Sequence, residues 1–118
     1  MIYKRNQIAL EDILKFCSKI EIYLKDMSKV DFENSELVID AVLRNLELIG
    51  EASKRLSNDF MDKYSNIPWK KIIGLRNIVI HEYSDVDLDI IWDIVTKNIP
   101  ETKENIQEIY NEILSEKK

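Results

Sequence analysis

The residues best suited to chemistry lie close together in the second half of the chain: Arg76, Asn77, His81 and Tyr83. His81 is the only histidine of the sequence, and its ordinary pKa lets a histidine accept and donate a proton near neutral pH. Arg76 carries a permanent charge on a planar fork of donors that suits phosphate. Side chains of these types at this spacing are suited to phosphodiester chemistry.

These side chains depend on one helix, which the apolar pattern predicts from Trp69 to about His81. The apolar face of this helix is formed by Ile72, Ile73, Leu75, Val79 and Ile80. A second stripe runs along Lys70, Gly74, Asn77 and His81. Asn77 precedes His81 by one turn, where it can hydrogen-bond the ring and fix its tautomer. Gly74 leaves room for another helix or a ligand to come close.

Arg76 projects from the middle of the apolar arc, where a charge is costly unless it is paired or faces a polar cleft. A structural explanation is an ion pair with Glu47 or Glu51. His81 could likewise be a surface residue that complements the helix dipole, and Tyr83 a packing residue. His81 and Tyr83 can share one site only if the helix ends near His81, because helical periodicity otherwise places them on opposite sides.

The remaining sequence also has helical periodicity, and it lacks the alternation of a strand. A first helix is predicted from about Gln7 to Ser28, and a polar break at residues 31–34 precedes a second helix that Asn34 or Ser35 can cap. Gly50 lies in the middle of that second helix, where close approach of another backbone would explain it. Ser57 suits the cap of a short helix.

A last long helix is predicted to begin near Asp87, with a kink or a division into two helices near Pro100. The prediction is therefore an all-α, up-and-down bundle of four long helices plus a short one, with the last helix kinked near Pro100. Residues 1–118 are expected to form a single helical domain.

Composition limits the possible partners. The net charge of −5 argues against a broad nucleic-acid surface, so any RNA contact should be small and confined to a local positive cleft. No apolar run approaches the length of a membrane span, and the N-terminus does not resemble a signal peptide, so a cytoplasmic protein is expected. The single Cys17 lies on an apolar helical stripe and is expected to be a small buried residue. No cofactor and no metal-ligand cluster is predicted.

The motif residues resemble the Arg-x4-His-x-Tyr signature of HepT-like ribonuclease toxins in the HEPN superfamily. In this chain the signature corresponds to Arg76, His81 and Tyr83. The resemblance extends, in order along almost the whole chain, to Ile49-Gly50-Glu51-Ala52, Ile67-Pro68-Trp69, Gly74, Val86-Asp87 and Trp92. The flanking segments make the resemblance much more specific than the short Arg-x4-His string.

The resemblance implies a helical bundle that forms a homodimer, with two Arg/His pairs in a cleft between protomers. It also implies metal-independent endoribonuclease activity, with RNA as the substrate, in the toxin of a toxin–antitoxin pair. His81 would act as general base or general acid, and Arg76 would stabilise the charge on the phosphate. Asn77 would orient His81 or the phosphate. In a chain with a net negative charge only the cleft needs to be positive, and Lys70 and Lys71, on the same helix as Arg76, are weaker candidates for substrate binding.

The partner that the resemblance implies is an MntA-like nucleotidyltransferase antitoxin, which would transfer AMP to Tyr83. The added bulk and negative charge would repel RNA and compete for Arg76. An alternative is a non-catalytic HEPN module that binds and assists a minimal nucleotidyltransferase. A purely structural dimerisation domain is a third possibility, but it leaves the polar stripe and Arg76 unexplained.

Overall fold

Helices form almost all of the structure, a computed structural model that describes residues 2–82 and 87–116, with side chains for residues 4–77 and 87–116. The elements are α1 (Ile2–Leu24), α2 (Lys29–Glu33), α3 (Glu36–Lys54), α4 (Asn58–Lys63), α5 (Trp69–Glu82), α6 (Leu88–Asp93), a π-helical segment (Ile94–Asn98) and α7 (Ile99–Glu116). The described ranges contain no strand. The predicted all-α bundle with four long helices (α1, α3, α5 and α7) is confirmed.

Polar side chains begin three of these helices as the sequence predicts. The Ser35 hydroxyl accepts a hydrogen bond from the Val38 N–H at the start of α3. The Ser57 hydroxyl accepts one from the Phe60 N–H at the start of α4, and the Asp87 carboxylate accepts from the first turn of α6. Each oxygen satisfies a backbone donor that the helix itself leaves free.

The predicted polar break at residues 31–34 is wrong, because α2 occupies most of it. Ser28 and Asp31 form a capping box, in which each side chain accepts a hydrogen bond from the other residue's backbone N–H. Phe32 is fully buried, and its ring packs 5.4 Å from that of Trp92, centroid to centroid. The described ranges therefore contain three short helices (α2, α4 and α6), where the sequence predicted one.

The first helix begins and ends earlier than its predicted bounds of Gln7 and Ser28. It starts at Ile2 and ends at Leu24, and Asp26 follows with a φ of 62°, in the left-handed region. A left-handed residue directly after a helix is a common way to terminate it, and aspartate tolerates this conformation better than most residues.

The irregularity expected near Pro100 takes the form of the π-helical segment. The Ile99 N–H donates to the Ile94 carbonyl, five residues back, and α7 begins at Ile99. Pro100 is thus in the first turn of α7, where its missing N–H removes no bond of that helix. The π-helical segment allows the chain to continue from α6 to α7 without a loop.

A single apolar core joins the long helices, and α1 packs against both α3 and α7. Polar contacts accompany that packing. The Tyr110 hydroxyl of α7 donates to Glu11 of α1 at 2.5 Å, and Lys103 pairs with Glu21 at 3.1 Å. No helix in the described ranges is both long and apolar enough to cross a membrane.

Gly50 marks the place where α3 and α5 touch backbone to backbone. A Cβ atom at Gly50 would lie 3.0 Å from both the Arg76 nitrogen and the Ile73 carbonyl oxygen. Any larger residue would therefore have to push α5 away. The predicted reason for a glycine in mid-helix, close approach of another backbone, is confirmed.

Cys17 is fully buried in the core, as predicted, and burial, with a smaller contribution from Glu21, raises the pKa of its thiol to about 12. We expect the native protein to react only slowly with a thiol reagent at pH 8, because the thiolate is the reactive form. The same protein in urea should react rapidly. Rapid labelling of the native protein would contradict this burial.

The raised pKa of Cys17 also makes the stability of the fold depend on pH. The folded state keeps its proton above the ordinary thiol pKa of 9.0, whereas the unfolded chain loses it. Below the ordinary thiol pKa of 9.0 both states are protonated, and this contribution to stability is fully present. It is lost as the pH rises from about 9 toward the pKa of about 12 in the folded protein. A Cys17→Ala variant should lack this part of the alkaline dependence in urea unfolding.

Candidate active site

The start of α5 is fixed firmly to the core. The Pro68 carbonyl accepts hydrogen bonds from the N–H groups of Lys71 and Ile72 at 3.0 and 3.1 Å. The Trp69 indole N–H donates to the Tyr64 carbonyl at 3.0 Å, and the Trp69 side chain is buried. Together with the contact at Gly50, these interactions fix the rotation of α5 and hence the direction in which its polar residues project.

Arg76 is placed on α5 directly opposite Gly50 of α3, so the residue after that glycine, Glu51, lies beside it. The Arg76 Nε atom is 3.6 Å from Glu51 Oε1, and both side chains are 41% exposed. This distance is too long for a hydrogen bond, and Nε is buried without a hydrogen-bond partner among the described residues. The exposed area of Arg76 therefore belongs to the rest of its side chain.

The structure confirms part of the structural explanation of Arg76, which was an ion pair with Glu47 or Glu51. The ion pair with Glu51 exists, while Glu47 pairs instead with Arg44 at 3.5 Å. A half-exposed pair at 3.6 Å contributes at most ~1 kcal/mol to stability. Glu51 is therefore a weak electrostatic partner of Arg76, and this pairing alone does not explain an arginine within the apolar arc.

The polar stripe of α5 faces outward along its described length. Asn77 is exposed, and so are Lys70 and Lys71. No atom of another element lies within 4 Å of a Cβ built at Gly74, so no neighbouring helix occupies this place in the described structure. Of the two expected alternatives, another helix or a ligand, the open space is compatible with a ligand. The stripe is accessible to a ligand over the turns that precede His81.

His81 lies in the last turn of α5, which ends at Glu82, but its side chain lies outside the described residues. The hydrogen bond expected between Asn77 and the His81 ring thus stays a prediction. Tyr83 also lies outside the described residues. The expectation that His81 and Tyr83 share one site therefore stays a prediction. Among the described side chains, no group of three or more His, Cys, Asp or Glu residues could hold a metal ion.

A groove beside the polar stripe of α5 is lined in part by residues that were not predicted from the sequence. It has a volume of about 550 Å³ and lies between the first half of α5, the π-helical segment and the start of α7. Its polar lining includes Asn98, Thr102 and Asn105. These positions are separated by four and three residues, so a wheel of the last helix would have placed them on one face. We name this cavity the α5–α7 groove.

Comparison with known proteins gives consistent matches. The family model described as "Ribonuclease HepT-like" matches residues 13–109. A Methanocaldococcus jannaschii protein named "Putative RNase MJ1380" is 41% identical over 98 residues, which cover 83% of this chain and 90% of that protein. A Thermococcus cleftensis protein named "Probable ribonuclease HepT" is 36% identical over 100 residues, which cover 85% of this chain and 91% of that one.

A longer Methanocaldococcus jannaschii protein, "Gamma-glutamylcyclotransferase and putative RNase MJ0434", is 44% identical over 107 residues. The match covers 91% of this chain but only 48% of that protein, so the likeness concerns about half of it. No solved structure matches this chain significantly.

Proposed function

This chain belongs to the family of HepT-like ribonucleases, and from that premise we propose that it is a metal-independent endoribonuclease that acts as a toxin. The observation that carries the proposal is the state of Arg76. Its side chain is 41% exposed and only weakly paired with Glu51, on a helix that is anchored at both Pro68 and Gly50. A permanent cation held in this way is available to bind a phosphate.

The proposed reaction needs proton transfer and charge stabilisation. One group removes the proton from the ribose 2′-hydroxyl, whose oxygen attacks the adjacent phosphorus. The bond from phosphorus to the 5′-oxygen breaks, and a second group protonates that oxygen. The products are a 2′,3′-cyclic phosphate and a 5′-hydroxyl. Arg76 would stabilise the charge that develops on the phosphate oxygens, and Asn77 would orient the phosphate or His81.

The histidine count favours a homodimer. The reaction uses a base on one side of the phosphorus and an acid on the other, and His81 is the only histidine in each chain. Two copies of the chain, related by a two-fold axis, would bring two His81 side chains to one phosphate. We propose that the complete site lies between protomers, with Lys70 and Lys71 at its margin.

Cleavage should persist in excess EDTA, because no step of the proposed reaction uses a metal. A labelled single-stranded RNA would be incubated with purified protein, and the 3′ ends of the products would be analysed for cyclic phosphate. The same RNA with 2′-O-methyl groups should stay intact, since it lacks the nucleophile. Cleavage that requires added Mg²⁺, or that leaves 5′-phosphates, would contradict the mechanism.

We further propose that a nucleotidyltransferase antitoxin inactivates the enzyme by modifying Tyr83. The tyrosine oxygen would attack the α-phosphorus of a nucleoside triphosphate, lose its proton and release pyrophosphate. The attached AMP would carry negative charge close to the helix that bears Arg76 and His81, and would repel RNA phosphate. This extension rests on the sequence motif, in which Tyr83 follows His81 by two residues.

Co-expression with an MntA-like nucleotidyltransferase should add one or more AMP units to Tyr83 and abolish RNA cleavage. Peptide mass spectrometry locates the modification among the tyrosines. Tyr64 has a buried hydroxyl, and the Tyr110 hydroxyl is engaged with Glu11, so neither is expected to react. The Tyr83→Phe variant should remain active and unmodified. Neutralisation of that variant to the same extent would indicate inhibition by binding instead.

A further inference from the structure

The α5–α7 groove has the size and composition of a site for a small organic group. Its volume of about 550 Å³ lies in the range of ligand pockets. The buried side chains of Ile72, Leu75 and Ile99 contribute to its apolar wall. The polar lining consists of Asn66, Lys71, Asn98, Glu101, Thr102 and Asn105. An apolar wall with several convergent polar groups is the usual construction of a binding pocket.

The polar groups match the edges of a nucleobase. The side chains of Asn66, Asn98 and Asn105 make no hydrogen bond within the described part of the chain, so their amides are available. An amide offers a donor and an acceptor side by side, the pattern with which asparagine binds a base edge. Lys71 is exposed at the same groove and can contact a phosphate.

Two backbone features keep the groove open. Gly74 lines it without a side chain, and a Cβ at that position would meet no atom within 4 Å. The π-helical segment supplies Ile94 and Asn98 to the lining, and its extra residue rotates Asn98 relative to where a regular α-helix would place it. Single-turn π-helical segments occur frequently at functional sites.

The groove is also close to the proposed site of cleavage. Gly74 and Lys71 are on α5, and Gly74 precedes Asn77 by three residues and His81 by seven. At 1.5 Å per residue, the stripe from Gly74 to His81 spans ~10 Å along the helix axis. A nucleotide next to the one cleaved at His81 can therefore reach the groove.

We propose that the α5–α7 groove binds a base of single-stranded RNA adjacent to the cleaved phosphodiester. The base enters between the apolar wall and Gly74, and the Asn98 and Asn105 amides bond its edge. The flanking phosphate lies toward Lys71. Unstacked bases in single strands are the usual targets of sequence-specific RNA binding. This inference rests on the proposed ribonuclease function, and it assigns that enzyme a sequence preference.

Binding is measured with a set of 2′-O-methyl oligonucleotides of differing sequence, which cannot be cleaved, by fluorescence anisotropy. Gly74→Leu fills the groove and is expected to raise the Kd about tenfold or more, with Gly74→Ala giving a smaller effect. Asn98→Ala and Asn105→Ala should each lower the discrimination between sequences about tenfold. Lys97→Ala is the matched control, since Lys97 adjoins Asn98 on the π-helical segment but does not line the groove.

The cleavage-site profile of unmodified RNA separates the two proposals. A wild-type protein that binds the oligonucleotides but never cleaves RNA contradicts the ribonuclease function and leaves the groove assignment intact. A protein that cleaves, but whose Kd and cleavage profile are unchanged in Gly74→Leu and Asn98→Ala, overturns the groove assignment. If a free nucleoside monophosphate competes with the same affinity as the oligonucleotide, the ligand of the α5–α7 groove is a free nucleotide and not RNA.

Discussion

Arg76→Ala is expected to lower the rate of RNA cleavage ~10²- to 10³-fold, as loss of one preorganised group that stabilises transition-state charge usually does. The free energy of unfolding should change by less than ~1 kcal/mol, because the weak, half-exposed pair with Glu51 is the interaction removed. Cleavage kinetics and urea unfolding of the same preparation measure both quantities. Arg76→Lys should recover only part of the rate, because lysine lacks the planar fork.

Arg44→Ala is the matched control. Arg44 is on α3, is exposed and pairs weakly with Glu47, so its loss changes the net charge equally without touching α5. His81→Ala should be as inactive as Arg76→Ala. Equal cleavage by the wild type and by all the variants would indicate a contaminating nuclease. If the only role of Arg76 were its ion pair with Glu51, Arg76→Ala and Glu51→Gln would lower the free energy of unfolding equally. The two variants would then also lose the same fraction of the cleavage rate.

Gly50→Val is expected to reduce the free energy of unfolding by ~2 to 3 kcal/mol, within the usual cost of overpacking. The new side chain would meet the Arg76 nitrogen and the Ile73 carbonyl oxygen at 3.0 Å. Both are backbone atoms of α5, which cannot rotate away as a side-chain terminus could. The helix must shift, so cleavage should also fall even where the protein remains folded.

Gly74→Val is the control for this prediction, since these two are the only glycines in the chain and both lie within helices. Valine at Gly74 meets open space and has a slightly better helix propensity than glycine. Its stability should be unchanged or higher by a few tenths of a kcal/mol. Equal losses at the two positions in urea unfolding would show that helix α5 does not cross α3 as described.

Local sequence patterns predicted much of this fold. Periodicity located the four long helices, and the caps Ser35, Ser57 and Asp87 are visible as single polar residues before apolar runs. Helix α2 was missed because five residues are too few for a periodicity, although the Ser28 to Asp31 spacing is the signature of a capping box.

The site depends more on contacts between helices, which local patterns do not determine. Arg76, Asn77 and His81 lie within six consecutive residues, so the sequence alone could place them on one helix. The choice of Glu51 over Glu47 as the partner of Arg76 follows from the backbone contact at Gly50, which no single helix reveals. The α5–α7 groove likewise requires the π-helical segment, because its extra residue changes which side chains face α5.

The pairing of α1 with α7 has a consequence for how the enzyme is made. Glu11 bonds Tyr110, which is 99 residues further along the chain. During translation, Arg76 and His81 leave the ribosome before α7 does. Until α7 is synthesised, the part of the apolar face of α1 that packs against α7 stays uncovered. Contacts that are distant in sequence also slow folding. We therefore expect the bundle that supports α5, and with it any cleavage activity, to form only after α7 has been synthesised.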